Sequence, residues 1–198
     1  MKRKPPTRKT ARRGMPPLSR EAWIVAAFET LYAEGIESVR VERLAKKLSV
    51  TKGSFYWHFQ NRADLHAALL DYWMKEMTQS VLDTAKNFQG TPRDRLVNTL
   101  TEVIGKERTQ FDPAVRNWAR TDARVQKVVA HIDRIRLSFL HGLFADLGYD
   151  EREAEIRSRL MYYYIMGECF VTVKEPMTKR LTTLERKALL MMQPLAGG

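Results

Sequence analysis

Apolar side chains recur along this chain at three- and four-residue spacing, and no stretch alternates polar with apolar residues long enough to argue for a strand. The pattern predicts an all-α protein. A first helix starts at Ser19, carries Ile24, Ala27, Phe28 and Leu31 on one face, and stops at Gly35. Two short helices are expected over about Val41–Leu48 and Thr51–His58. Asn61, with Asp64 three residues on, caps a fourth whose stripe is Leu65, Leu69, Tyr72, Trp73, Met77 and Val81. Thr91-Pro92-Arg93-Asp94 reads as N-cap, first-turn proline and first-turn acid, opening a helix that runs to about Glu107. Asp112-Pro113 repeats that signal for a helix to about Arg120. The most periodic segment carries Val125, Val128, Ile132, Ile135, Phe139, Leu143 and Leu147 and ends at Gly148. The next helix begins near Asp150, with Glu151 and Glu153 in its first turn, where the helix dipole favours negative charge. Thr182 and Glu185 read as the capping box of a short last helix ending before Pro194.

All eight prolines fall within the first 18 residues or at points where an expected helix starts or stops. Proline is tolerated at a helix start and breaks an interior, so its placement supports the helical reading. Three units follow: a basic arm over residues 1–18, a three-helix unit over residues 19–65, and a larger helical unit over residues 66–198.

Composition adds little to this. Hydrophobic residues make up 44% and charged residues 29% of 198, a balance that supplies an ordinary core. No apolar run approaches the roughly 18 residues that mark a membrane span. The basic N-terminus has neither the apolar stretch nor the small-residue cleavage site of a signal peptide. One cysteine, Cys169, excludes an internal disulfide framework and fits a reducing cytosol, so a cytoplasmic location without a membrane partner is expected.

Charge changes the picture more. Of a net +11, the arm contributes Lys2, Arg3, Lys4, Arg8, Lys9, Arg12 and Arg13, with no acid among them. Together with Pro5, Pro6, Pro16 and Pro17 this composition cannot pack, and it is attracted to any polyanion.

The two short helices carry the more specific chemistry. Only about two residues, Ser49 and Val50, separate them, which forces a steep angle. Leu44, Ala45 and Leu48 of the first and Phe55 and Phe59 of the second are expected to face inward. That leaves Thr51, Lys52, Ser54, Tyr56, Trp57 and His58 outside: hydroxyl donors, a cation and two large aromatics suited to phosphates and base edges. Gly53 has no side chain and lets the helix approach a backbone closely.

The run Leu44-Ala45-Lys46-Lys47-Leu48-Ser49-Val50-Thr51-Lys52-Gly53-Ser54-Phe55-Tyr56-Trp57-His58-Phe59, followed by Asn61-Arg62-Ala63-Asp64-Leu65, resembles the DNA-binding domain of the TetR family of transcriptional regulators. The resemblance covers about residues 19–65. It implies that Lys52 and Trp57 approach bases, and that Thr51, Ser54, Tyr56 and His58 bind phosphates. Arg62 stands where the family usually has a phosphate-binding lysine, and Arg40 where many members touch DNA. Ser49 replaces the usual turn glycine, and Leu48 a common alanine. A left-handed backbone at Ser49 would cost up to ~1 kcal/mol.

Plainer readings hold for several other residues. Phe55 and Phe59 are core, Asp64 is a first-turn helix charge, and His58 could be a surface histidine. His131 and His141 point in different directions and form no metal pair. Cys169 reads as a buried thiol rather than a redox sensor. No metal or cofactor is expected.

In the larger unit, Leu160–Val173 is apolar or aromatic nearly all round, so one side should face its own core and the other a partner. Gly167 would let a second helix approach, and Leu184, Ala188, Leu189, Met191 and Met192 offer another stripe. A homodimer through these last two helices is expected, and the resemblance implies the same. It also implies a small-molecule inducer held within this unit. Trp118, His131, Met161, Tyr164 and Met166 could line its pocket, although core packing explains each equally well. The leading expectation is therefore a ligand-responsive homodimeric repressor on a palindromic operator in double-stranded DNA. The alternative is a non-specific or architectural nucleic-acid binder driven by the arm. No glycine-rich phosphate loop, metal-spaced His/Cys set or nucleophile elbow suggests an enzyme.

Overall fold

The structure is a computed structural model that describes residues 18–173 and 175–193, all helix, turn and loop. The arm expected over residues 1–18 lies outside the described residues except for Leu18, as does Pro194. The helices are α1 (Arg20–Glu34), α2 (Val41–Lys47), α3 (Lys52–Tyr56), α4 (Arg62–Met74), α5 (Ser80–Asn87), α6 (Pro92–Gly105), α7 (Asp112–Ala119), α8 (Ala123–Asp146), α9 (Glu151–Phe170) and α10 (Met177–Met192).

Local capping fixes most of these boundaries. Ser19, Asn61, Thr91 and Asp150 each accept a backbone N–H of the first turn they precede, and Thr91 with Asp94 forms a full capping box. Gly35 ends α1 at φ 81°, a backbone that only glycine adopts without strain.

Three expectations are corrected. Asp112 is the first helical residue of α7, and its carboxylate caps nothing there; it is fully buried and turned toward α4 and α8. Thr182 and Glu185 lie inside α10, which starts after Pro176; Thr182 donates to the Lys179 carbonyl and Glu185 pairs with Arg93. The long fourth helix is interrupted by a π turn, Lys75–Gln79, in which the Ser80 N–H reaches back five residues to the Lys75 carbonyl.

Two cores organise the molecule. The first joins α1–α3 to α4, α7 and the N-terminal half of α8, around Trp23, Phe28, Phe55, Trp73, Trp118 and Ile132. The second joins α5, α6, the C-terminal half of α8, α9 and α10, around Leu100, Phe144, Met161 and Leu184. The α1–α3 head thus packs on α4, α7 and the N-terminal half of α8. Among the described residues no helix is long and apolar enough to cross a membrane.

Candidate nucleic-acid interface

α2 ends in a Schellman turn. The Ser49 N–H donates to the Lys46 carbonyl at 3.1 Å and the Val50 N–H to the Ala45 carbonyl at 2.9 Å. Ser49 itself sits at φ 57°, the left-handed conformation expected where a glycine is usual. This turn brings α3 out at a steep angle to α2. Phe55 holds α3 from below. Its ring meets Trp23 of α1 edge-on at 5.4 Å and stacks on Phe59 at 5.2 Å, while the Arg20 guanidinium lies 4.8 Å over Phe59.

With Phe55 and Phe59 anchored, the opposite side of α3 faces solvent. Trp57 is 87% exposed and Tyr56 63% exposed, unusual for side chains so apolar. Thr51, Lys52 and Gly53 are exposed beside them, and Ser54 and His58 are half-buried. A Cβ added at Gly53 would meet only Thr51 Oγ1, at 3.6 Å, so nothing inside the protein excludes a larger residue there. Lys52 Nζ donates to Glu42 Oε1 at 2.7 Å in an exposed pair, the kind that costs little to break. Arg40 precedes α2, exposed, with Nε donating to the Glu37 carbonyl.

Arg62 is placed differently from the other cations. It is half-buried, donating from Nη2 to the Ile36 carbonyl at 2.9 Å and from Nε to His66 Nε2 at 3.2 Å. Its described contacts bind the loop after α1 to α4.

The five pocket candidates do not converge. Trp118 packs edge-on against His66 in the first core, and Met161 is buried in the second. His131 is exposed on α8, beside a shallow groove shared with Leu70 and Met74. Tyr164 faces α10, with Lys187 Nζ 5.7 Å from its ring centroid. Of the five, Met166 alone lines a partly open cavity of about 50 Å³ between the π turn, α6, α8 and α9.

Beside that cavity lies a buried polar network that the sequence reading missed. Asp112 accepts from Arg136 Nη1 at 2.6 Å and from Trp73 Nε1 at 3.3 Å. Arg116 grips Asp133 with two hydrogen bonds, and Tyr162 donates to Asp133 at 2.6 Å. Burial pushes the Tyr162 phenol up to about 12, keeping it a donor. The signal was present in the sequence: Arg136 interrupts the stripe of Ile132, Ile135 and Phe139 on α8.

A tight two-helix unit with an exposed, aromatic second helix defines a helix-turn-helix protein. Residues 24–69 match the family model "Bacterial regulatory proteins, tetR family". The similarity to that family lies in this N-terminal domain, from the middle of α1 into α4. It is 39% identical over 77 residues to the tetracycline repressor protein class C of Escherichia coli, covering 39% of this chain and 31% of that one. It is 26% identical over 97 residues to the HTH-type transcriptional regulator AcrR of Shigella flexneri, covering 47% and 45%. The matched stretches therefore span less than half the length of these relatives. The fold extends further: a TetR-family transcriptional regulator from Streptomyces coelicolor superposes with a TM-score of 0.70 over 87% of each chain, at 18% identity. One from Aquifex aeolicus does so with a TM-score of 0.68 over 87% of this chain and 98% of that one, at 15% identity.

Proposed function

We propose that this protein is a sequence-specific DNA-binding transcriptional regulator that acts as a homodimer, represses from a palindromic operator, and is released by a small molecule. The observation that carries the DNA reading is the outward side of α3. Trp57, Tyr56, Lys52 and Thr51 stand in solvent on a helix whose other side is locked by Phe55 and Phe59. In this reading Lys52 and Trp57 approach base edges, while Thr51, Ser54, Tyr56 and His58 bind phosphates, with Gly53 leaving room for the DNA backbone. Arg40 reaches a flanking phosphate. Arg62 would have to exchange its inward hydrogen bonds to join them, so its contribution is to hold α4 against the loop at Ile36.

Dimerisation is supported by α9. Ile156, Leu160, Tyr163 and Phe170 are exposed and, with Gly167 between them, recur at alternating four- and three-residue steps, the spacing of a helix–helix seam. A Cβ added at Gly167 meets no atom within 4 Å, leaving space for a close partner helix. The share of α10 is smaller than its sequence suggests: Leu184 and Ala188 are buried in their own core, and Met191 and Met192 pack against it. A two-fold pair would set two copies of α3 about 34–36 Å apart, one turn of DNA.

Selection of bound DNA from a random pool is the direct test. An enriched palindrome supports the reading. Recovery of unrelated sequences, with binding that collapses steeply as salt rises, replaces it by non-specific attraction to phosphate.

A further inference from the structure

The corner between α7 and α8 stands beside the start of α4, the end of that helix that follows directly on α3. Trp118, in the last turn of α7, packs edge-on against His66 with ring centroids 5.1 Å apart. His66 in turn accepts from Nε of Arg62, the first residue of α4, at 3.2 Å. After burial, the groups that act on the His66 proton are Arg62, Asp122, Glu37 and Arg124. Charges of the corner and charges of the head therefore meet around one side chain.

The corner is cationic and open to solvent. Arg120 closes α7, Arg124 lies in the first turn of α8 and Lys127 about one turn on, and all three are exposed. Arg124 holds Asp122 at 3.1 Å while its own side chain stays 84% exposed. Among the described residues Arg120 and Lys127 make no ion pair. The acids beside them are Asp122, engaged by Arg124 and by the cap of α8, and Asp71, which shares a shallow groove with Lys127. Helix stability does not account for Arg124: the dipole disfavours a cation in the first turn, and α1, α4, α6 and α9 all open with an acid there.

We propose that this corner is a second DNA contact, through which the larger helical unit neutralises backbone phosphates flanking the operator with Arg120, Arg124 and Lys127. The proposal rests on the DNA reading above and extends it beyond α3. A duplex continues past the bases that a recognition helix reads, with one phosphate charge for about every 1.7 Å of its axis. A cationic surface continuous with the head matches that charge. Because its partner is backbone alone, the corner adds affinity and salt dependence and carries no base preference. The stripe on α8 sets the limit of the contact. Arg134 is exposed on the same side as Arg124 and Lys127, but about 10 Å beyond Lys127, along the half of α8 that leaves the head for the second core.

Full-length protein is titrated with a fluorescent duplex carrying its selected site and long flanks, over a series of KCl concentrations. Each phosphate neutralised contributes about 0.9 to the slope of log affinity against log salt. Arg120→Gln combined with Lys127→Gln leaves the Asp122–Arg124 pair intact. This double variant is expected to flatten the slope by about 2, so that a fourfold rise in salt weakens its binding about tenfold less than it weakens the wild type. Its enriched sequence and its melting temperature should not change. Adding Arg124→Gln should flatten the slope by about 1 more. Arg134→Gln removes a charge about one screening length further from the head and should leave the slope as it is. On a duplex trimmed to the enriched palindrome, the wild type and the double variant should bind alike. An unchanged slope in the double variant, an equal loss per charge in Arg134→Gln, or a difference that survives trimming overturns the corner contact. A wild type that enriches no sequence overturns the DNA reading itself, whereas an enriched sequence with an unaltered slope overturns the corner alone.

Discussion

Trp73 and Asp112, 39 residues apart, meet through a buried hydrogen bond of 3.3 Å that ties α4 to α7 where the head joins the larger helical unit. Asp112 is fully buried and also receives Arg136, so the indole, the carboxylate and the guanidinium form one unit across three helices. Removing one partner of such a pair leaves a charge in a dry interior. Asp112→Ala is therefore expected to lower unfolding stability by about 3–5 kcal/mol, read from the urea midpoint, the mutant leaving Arg136 unpaired. A loss below ~1 kcal/mol would show that water reaches the site.

On the head, surface and support should separate. Lys52→Ala and Trp57→Ala are expected to weaken binding to a selected DNA site by about 1–3 kcal/mol each at moderate salt, with unchanged melting temperature. Phe55→Ala should instead cost about 3–5 kcal/mol of folding stability, because the ring is enclosed by Trp23 and Phe59. Undiminished affinity in Lys52→Ala would sink the assignment of α3.

Ser49 holds a positive φ of 57° without the freedom of glycine. Ser49→Gly should relieve that strain and raise stability by up to ~1 kcal/mol, with an unchanged denaturant slope. A lower midpoint in the glycine variant would mean that chain entropy outweighs the strain at this turn.

His66 gives the head a dependence on acid. Burial first, and then the Arg62 guanidinium donating to its Nε2, lower its pKa from 6.5 to about 4. The unfolded chain takes up this proton near pH 6.5 and the folded chain only near pH 4. Between those values the unfolded state binds more protons, so stability is full above pH 6.5 and falls as the pH drops toward 4. In His66→Gln, which retains an acceptor but does not titrate, the melting temperature should depend less on pH across that window. Parallel curves for the two proteins would refute the assignment.

The seam on α9 predicts assembly. The wild type should sediment as a dimer at micromolar concentration without DNA, whereas Gly167→Asp, placing a charge between Tyr163 and Phe170, should sediment as a monomer with unchanged helix content. A wild-type monomer would leave the exposed apolar residues of α9 without the partner argued for them.

Much of this architecture was legible because it is locally determined. Ser19, Asn61, Thr91 and Asp150 bond within three residues of themselves, so sequence spacing alone finds them. The inward Phe55 and Phe59 and outward Trp57 follow from helical period in the same way. What escaped is non-local. Asp112 has the sequence context of a cap, but Arg136 and Trp73 claim its carboxylate from two other helices. The Thr182–Glu185 spacing is compatible with a cap and with a helix interior, and the chain upstream, from Pro176, decides for the interior. The apolar positions of α10 reveal burial but not by what; α6 and α9 of the same chain take Leu184 and Ala188. Nor does any residue pattern announce the π turn, since its carbonyls are satisfied by Arg108 and Arg136 from distant segments.

The exposure of Trp57 has an optical consequence. The chain has four tryptophans; Trp23, Trp73 and Trp118 are buried, and Trp57 alone stands in water. Indole emits at longer wavelength in water than in hydrocarbon, so the red edge of the intrinsic fluorescence belongs to α3. Iodide ions in solution reach that indole and dim it, while the three buried ones stay bright. DNA seated over α3 would shield Trp57 from the ions, so occupancy of the surface can be followed in the unlabelled protein by the colour of its own emission.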